Sequence, residues 1–300
     1  MSDPERAARI EAVGYDYGAR TLEPVSVCNL CGSGSAEHLA VAHVDRYGYP
    51  ATLLMCSRCG LAFLSPRLTA EEYGEFYGHV YRPLVSAYHG RRIDAETVQV
   101  DQRDYAAELV EFLRDTLPLP PRTVLDVGGS TGVVAGAVQA AFGATATVLD
   151  PAPGELEVAA AAGMETFAGV AEEFDPGRRR WDLVLLCQTI DHLLDIRSVL
   201  GSMRQMTADD GHAFVDVLDF GEAARRHGVT GASKIDHPYY LTRETALAFF
   251  ALAGYEPVAE RFTEDGHAGW VLEATTPREP DRQRLEAAAA AQLATLEERT

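Results

Sequence analysis

The sequence predicts an α/β protein built on a mostly parallel sheet, with a small cysteine-bearing module before it. From residue 122 onward, apolar strand patterns alternate with helical patterns, which is typical of crossover units in a parallel sheet. Four of the five cysteines fall within residues 21–68, in two short pairs that precede this alternation. An apolar content of 47% over 300 residues is enough to bury a sizeable core.

The order of these patterns divides the chain into five segments. They are a flexible arm (1–20), the cysteine module (21–68), a helical lid or linker (69–120), the α/β domain (121–277) and a C-terminal helix (278–300). Prolines at positions 118, 120 and 121 end the linker helix. In the α/β domain, strands are predicted at 123–127, 146–150, 164–167, 181–187 and 212–218, and helices at 133–142 and 156–162.

The formal charge of −19 argues against a partner held through phosphate contacts along a nucleic acid. The one basic run, residues 178–180, lies between a turn and an apolar strand and is interpreted as a solvated loop. No stretch approaches eighteen apolar residues, and the first six residues lack the pattern of a secretory signal. We therefore expect a cytoplasmic protein with neither a nucleic acid nor a membrane as partner.

A glycine-rich turn joins the first predicted strand of the α/β domain to the following helix. Residues 125–132 are Leu-Asp-Val-Gly-Gly-Ser-Thr-Gly, and glycines there let a ligand approach the backbone N–H groups closely. The pattern differs from G-x-G-x-x-G, so a nicotinamide cofactor is disfavoured. Asp150 ends the next strand, where a carboxylate can accept both hydroxyls of a ribose. The alternatives are a tight turn without a ligand and an Asp150 that only caps the next helix.

The cysteines form two CxxC pairs, Cys28 with Cys31 and Cys56 with Cys59, each followed by glycine. Two-residue gaps let both thiolates of a pair bind one tetrahedral ion. In a cytoplasmic chain this spacing favours one zinc ion per chain over disulfides, with a redox dithiol as the alternative. Four thiolates leave no open coordination position, so we expect the zinc to be structural.

Residues 124–132 resemble the first motif of class I S-adenosylmethionine (SAM)-dependent methyltransferases, an acidic residue followed by alternate glycines. Asp126, Gly128 and Gly132 match it, and Ser130 stands where the middle glycine usually lies. The resemblance covers about residues 100–276 and implies a Rossmann-like methyltransferase sheet that binds SAM.

Two further stretches carry the resemblance. Asp150 looks like the family's ribose-binding residue, and residues 181–192, which include Gln188, are similar to its fourth strand and following helix. The resemblance implies that Asp150 and Gln188 contact the cofactor. Val170 stands where an acidic residue often meets the adenine, so we expect adenine recognition from backbone groups or from Glu172.

The pairing of a zinc ribbon with this domain resembles the zinc-containing methyltransferases of nucleotide-linked sugars. Their C-methyltransferases carry a further C-terminal domain without a counterpart after residue 277. His237 matches the spacing of a histidine in that group, whereas Lys234 replaces its partner tyrosine. The resemblance makes His237 the first candidate base; capping is the alternative.

Asp191 and His192 are the competing catalytic candidates, since the resemblance places them near the reacting methyl group. Asp216 and Asp219 are expected to face the same cleft, and Tyr77, Tyr81 and Arg82 could line an acceptor pocket or simply pack.

The sequence is compatible with three functions. The first is methyl transfer from SAM to a small molecule, such as a nucleotide-linked sugar or a glycosylated natural product. The second is RNA methylation, which the acidic charge opposes. The third is a binding module that keeps the fold without catalysis.

Overall fold

A computed structural model describes residues 4–93, 95–171 and 173–298 of the chain. Its contacts divide the chain into two compact units, which are described separately. Unit 1 comprises Met1–Val98, Asp219–Thr245 and Asp281–Thr300, and unit 2 comprises Gln99–Leu218 and Ala246–Pro280.

The elements are numbered along the chain. The strands are β1 (Leu22–Glu23), β2 (His38–Ala42), β3 (Leu53–Cys56), β4 (Ala62–Leu64), β5 (Arg67–Leu68), β6 (Thr123–Val127), β7 (Thr145–Asp150), β8 (Glu165–Ala168), β9 (Trp181–Leu186), β10 (Thr207–Leu218), β11 (Tyr239–Tyr240), β12 (Tyr255–Phe262) and β13 (His267–Ala274). The α-helices are α1 (Pro4–Glu11), α2 (Ala70–Glu75), α3 (Tyr81–His89), α4 (Ala95–Thr116), α5 (Val133–Phe142), α6 (Pro153–Ala161), α7 (Ile196–Met206), α8 (Phe220–Ala232), α9 (Arg243–Ala253) and α10 (Arg282–Glu297).

Unit 2 is built on a mixed sheet with the strand order β12-β13-β10-β9-β6-β7-β8. The five strands from β10 to β8 run parallel, and β13 is antiparallel to both of its neighbours. Central strands such as β9 are almost wholly buried, because helices cover both faces of a parallel sheet. The predicted α/β class with a mostly parallel sheet is confirmed.

The edges of two predicted elements in unit 2 differ from the structure. The helix predicted at 156–162 begins earlier, at Pro153, since proline suits the first turn of a helix. The strand predicted at 212–218 begins at Thr207, and its pairing with β9 shifts register before His212. The apolar pattern did not predict this extension, because it contains the polar, exposed residues Asp209 and Asp210.

Unit 1 contains a sheet with the order β11-β4-β3-β2 and a short β1–β5 pair. Strand β11 pairs antiparallel with β4 through Tyr239 and Phe63. Helix α10 packs beside α8, and Leu285, Ala289 and Leu296 are buried on one face. Residues 219–245, predicted within the α/β domain, therefore belong to the compact unit of the cysteine module.

The predicted flexible arm differs from the structure, because residues 4–11 form helix α1. Ile10 is buried, and the Arg9 Nε donates to the Ala87 carbonyl oxygen at 2.9 Å. Tyr17 is also buried. Helix α1 has one large apolar residue, Ile10, so its sequence shows too little apolar periodicity to predict a helix. Within the described ranges, no helix is long and apolar enough to span a bilayer.

Candidate cofactor site and candidate metal centre

The glycine loop of unit 2 runs from the end of β6 to the start of α5. Gly128 has φ 73° and Gly132 has φ 75°, in the left-handed region that favours glycine. A Cβ at Gly128 would lie 2.7 Å from the Thr189 Cγ2, and a Cβ at Gly132 would lie 2.7 Å from the Met164 Cε. Both glycines are required by conformation and by space, because the loop packs closely against Thr189 and Met164.

Asp150 ends β7 beside this loop. Its Oδ2 accepts from the Ser130 N–H at 2.9 Å and its Oδ1 from the Ala152 N–H at 2.8 Å. Burial raises the pKa of Asp150, and these two N–H groups oppose that shift. A carboxylate offers about four acceptor positions, so two are left for the hydroxyls of a ribose.

Asp126, in β6, carries a buried carboxyl group directly beneath the loop. It is 1% exposed, and neither carboxyl oxygen has a hydrogen-bond partner within normal geometry. Burial raises its pKa to about 7, with the negative charges of Asp150 and Asp216 adding to the shift and the Ala135 backbone N–H opposing it. A buried, unpartnered carboxyl group is costly unless a ligand or an ion offsets it. This orphaned group therefore fits a ligand with positive charge, as SAM has.

Two residues other than glycine have positive φ in the described chain, Ser130 at 51° and Gln188 at 50°. Ser130 lies in the glycine loop, where its hydroxyl contacts Glu155. Gln188 follows β9, directly before the Thr189 that packs on Gly128. Strained backbone clusters at binding sites. Gln188 belongs to the cofactor set expected from the sequence, and Ser130 lies in the motif where the middle glycine usually stands.

A cavity of about 620 Å³ opens in unit 2 beside Gln188. Asp216 lies at its base, where its carboxylate accepts from the Tyr105 hydroxyl at 2.7 Å and from the Gln188 N–H at 2.7 Å. Burial raises the pKa of Asp216. Arg261 also lines the cavity, and the His267 Nδ1 lies 3.0 Å from the Asp265 Oδ2 at its rim.

The sequence did not single out Tyr105, Arg261 or His267 as site residues. They come from α4 and from the β12–β13 hairpin, which meet only in the fold. Asp265-Gly266-His267 at the hairpin turn is the one local signal, because aspartate and histidine two residues apart can pair.

Asp191 and His192 lie in a single 3₁₀ turn after β9, in the same unit as the glycine loop. The Asp191 Oδ1 and the His192 Nε2 are 3.8 Å apart, and Asp191 is buried. This turn directly follows Thr189, the residue that packs against Gly128 of the glycine loop.

His237 lies in unit 1, just before β11, and is 7% exposed. Its Nε2 is 3.0 Å from the Lys234 Nζ and 3.4 Å from the Asp236 Oδ2. Since a charged lysine only donates, this nitrogen accepts and carries a lone pair when the imidazole is neutral. His237 therefore lies in a buried polar network with Lys234 and Asp236.

Asp219, expected in the cleft, has a different role. It caps α8, accepting from the Glu222 N–H at 2.9 Å, and its other oxygen accepts from the Arg243 N–H at 2.8 Å. Both oxygens are thus engaged by backbone of unit 1. Val170 lies in the loop after β8 and is 39% exposed, and Glu172 lies outside the described residues.

The four paired cysteines converge in unit 1, with their sulfur atoms all within 4.8 Å of one another. The Cys28 and Cys59 Sγ atoms are 3.5 Å apart, and the Cys31 and Cys56 Sγ atoms are 3.6 Å apart. Four sulfurs bound to tetrahedral zinc at about 2.3 Å would lie about 3.8 Å apart. The cluster fits one tetrahedral metal ion.

Each cysteine pair ends in the same turn. The Gly32 N–H donates to the Cys28 carbonyl at 2.9 Å, and the Gly60 N–H donates to the Cys56 carbonyl at 2.8 Å. Both glycines have positive φ, at 73° and 79°. The glycine after each pair is therefore needed for the turn that brings its two thiols together.

Known proteins show the same domain. Residues 98–260, more than half of the chain, match the methyltransferase domain family. A ubiquinone biosynthesis O-methyltransferase of Azorhizobium caulinodans is 30% identical over 112 residues, which cover 35% of this chain and 44% of that enzyme. The match thus spans less than half the length of that curated relative.

Two solved structures share the fold. A chain in the complex between the Haloferax volcanii Trm112 methyltransferase activator and a methyltransferase has a TM-score of 0.52 at 16% identity, covering 61% of this chain and 96% of that chain. The PH0226 protein from Pyrococcus horikoshii has a TM-score of 0.50 at 14% identity, covering 58% of this chain and 91% of that chain. With its sheet order, its glycine loop and the family match over residues 98–260, the chain belongs to the methyltransferase domain family.

Proposed function

We propose that the protein transfers a methyl group from SAM to a hydroxyl oxygen of a nucleotide-linked sugar. The observation that carries the cofactor assignment is the buried, unpartnered carboxyl group of Asp126 beneath a loop whose glycines admit a ligand. Transfer to oxygen is supported by the relative from Azorhizobium caulinodans, which is an O-methyltransferase. The choice of a nucleotide-linked sugar as acceptor is supported by the combination of this domain with a four-cysteine module.

In this proposal, SAM supplies a methyl group on a positively charged sulfur. Asp150 accepts hydrogen bonds from the ribose hydroxyls, and Asp126 offsets positive charge of the cofactor. Gly128 and Gly132 let the cofactor approach the backbone, and Gln188 contacts it from the end of β9. Displacement at the methyl carbon is in line, so positioning of the acceptor contributes a large part of the rate.

The acceptor hydroxyl also loses a proton. His192, whose Nε2 lies 3.8 Å from the Asp191 Oδ1, is the candidate base within the methyltransferase unit, and His237 is the candidate in unit 1. A neutral imidazole can take the proton as the methyl group arrives, which contributes about 10²–10⁴-fold in rate.

We further propose that Cys28, Cys31, Cys56 and Cys59 bind one structural zinc ion. All four coordination positions would be filled by thiolates, so the ion would order the module and would not activate a ligand. The module belongs to a larger compact unit that buries apolar residues of its own, and metal binding would contribute to its folding in addition to that core.

The proposed function is tested with a panel of nucleotide-linked sugars, incubated with SAM and analysed by mass spectrometry. We expect at least one hydroxyl-bearing member of the panel to gain a methyl ether, and fragmentation places the methyl group on oxygen. Methylation of a ring carbon would contradict the oxygen assignment. Methylation of RNA with no product from any sugar would contradict the substrate class.

A further inference from the structure

Unit 1 contains two arginines stacked on one tyrosine. The Arg46 Cζ lies 4.4 Å from the ring centroid of Tyr88, and the Arg6 Cζ lies 4.7 Å from the same centroid. The two guanidinium groups are therefore within about 9 Å of each other. Tyr47 completes the cluster, since its hydroxyl lies 2.7 Å from the Arg46 Nη2 and its ring packs edge-on against Tyr88 at 5.5 Å.

Some N–H groups of these two arginines have no hydrogen-bond acceptor. The Nε atoms of Arg6 and Arg46 are buried without a hydrogen-bond partner. Across the described ranges, no ion pair joins either guanidinium to a carboxylate, although the protein carries 45 acidic residues against 26 basic ones. Two like charges held close together in an acidic protein are unfavourable unless an anion joins them.

Several other charged groups lie near Arg6 and Arg46 and contribute to the electrostatics of the cluster. Burial lowers the pKa of His89, and the positive charges of Arg46, Arg91, Arg6 and Lys234 lower it further. One buried carboxylate, Asp236, acts electrostatically on Arg46 and lies 3.4 Å from the His237 imidazole.

Asp45, the other buried carboxylate of this region, accepts from the backbone N–H groups of Tyr47, Tyr49 and Ile235 at 2.9–3.0 Å. Its oxygens are thus used by the backbone and do not pair with the arginines. The cluster keeps an excess of positive charge.

We propose that Arg6, Arg46 and Lys234, with the hydroxyl groups of Tyr47 and Tyr88, bind a diphosphate group. Arginine forks suit phosphate oxygens, and two forks within about 9 Å can each take one phosphate of a diphosphate. That this diphosphate belongs to the methyl acceptor rests on the proposed function; binding of the anion itself does not.

The test measures binding of uridine diphosphate, inorganic pyrophosphate and uridine to the zinc-loaded, full-length protein by calorimetry. We expect the two phosphate compounds to bind and uridine to bind far more weakly, with affinity falling as salt rises. Arg6→Gln and Arg46→Gln should each weaken diphosphate binding at least about tenfold, because a charge-assisted contact is lost. Arg46→Lys should show a smaller loss, since it keeps the charge without the fork.

Arg20→Gln is the matched control, because Arg20 also stacks on a tyrosine of unit 1, Tyr15, at 5.1 Å but lies outside the cluster. Thermal unfolding and SAM affinity are measured for every variant, so a folding defect is recognised, and Arg6→Gln remains as a test if Arg46→Gln does not fold. The inference is overturned if uridine binds as well as its diphosphate, or if Arg20→Gln weakens binding as much as Arg6→Gln.

The two proposals fail separately. If SAM binds and a sugar is methylated while Arg6→Gln leaves the acceptor KM unchanged, the diphosphate site is overturned and the proposed function stands. If diphosphate binds as expected and SAM does not bind, the site is supported and the methyltransferase assignment fails.

Discussion

The two units carry charged side chains of opposite sign whose buried atoms lack a hydrogen-bond partner. In unit 2 these atoms are the two carboxyl oxygens of Asp126 beneath the glycine loop, and in unit 1 they are the Nε atoms of Arg6 and Arg46, although the Arg46 Nη2 is bonded to the Tyr47 hydroxyl. Burial of an uncompensated charge is unfavourable in both places, so each unit indicates a ligand of the opposite charge. These groups support the proposed cationic cofactor of unit 2 and the proposed anionic ligand of unit 1.

The units also differ in how they are stabilised. Unit 2 buries a continuous apolar core between its sheet and helices α4 and α5, including Leu109, Val124, Val138 and Phe214. Unit 1 places four thiols within 4.8 Å of one another at the base of a small sheet. Unit 1 also buries apolar side chains, such as those of Leu53, Phe63 and Leu241. A bound metal ion should add to the stability of unit 1, whereas the stability of unit 2 should not depend on metal.

Metal removal should have the largest effect. Structural zinc contributes about 10–16 kcal/mol in small zinc domains, so Cys56→Ser or chelation should strongly lower the unfolding temperature of unit 1. Metal analysis should give one zinc per chain in the wild type and in Cys187→Ser, whose thiol lies in unit 2. Purified protein with no metal and an unchanged melting profile would contradict the zinc assignment.

Removal of the base should lower turnover next most strongly. We expect either His192→Ala or His237→Ala to reduce kcat by about 10²–10⁴-fold while zinc content and SAM affinity stay unchanged. His227→Ala, at an exposed position of α8, is the control. If both variants keep more than about a third of the wild-type rate, neither histidine is the base and positioning dominates.

Asp150→Ala should weaken SAM binding by about 1.5–3 kcal/mol, as expected for hydrogen bonds to a charged group. Asp182→Ala is a close control, because its carboxylate accepts from the Arg122 and Thr123 N–H groups at 2.8 and 3.1 Å, much as Asp150 does from Ser130 and Ala152. Calorimetry should therefore separate ribose binding from loss of backbone hydrogen bonds. Equal losses of SAM affinity in both variants would mean that Asp150 is only structural.

The smallest expected effect is on pH dependence. Burial raises the pKa of Asp126 to about 7, so the unliganded fold favours the protonated form. Its contribution to stability is therefore lost as the pH rises from about 4 towards 7. A cationic ligand favours the carboxylate, so SAM affinity should increase several-fold, about 3–10-fold, between pH 6 and 8. Asp126→Asn should flatten this profile, and a wild-type affinity that falls over the same range has the wrong sign.

The features that could be predicted from the sequence are those set by short local patterns. The strand before the glycine loop, the loop itself and each CxxC turn are set by neighbours within a few residues, so Gly128, Gly132 and the cysteines were identifiable. The division into units was not, because β11 joins β4 across more than 170 residues of chain. The Arg6–Tyr88–Arg46 stack and the cavity at Tyr105 likewise depend on elements that are far apart in sequence. Asp219 shows the reverse case, in which an expected site residue proves to be a helix cap.

The proposed function requires that the glycine loop of unit 2 binds SAM. Calorimetric titration of SAM into the zinc-loaded wild type and Gly128→Val tests it most directly, since a side chain at Gly128 would meet the Thr189 Cγ2 at 2.7 Å. We expect one SAM per chain for the wild type and a large loss of affinity for the variant, with zinc content unchanged. SAM binding that is absent in the wild type, or equal in both proteins, would contradict it.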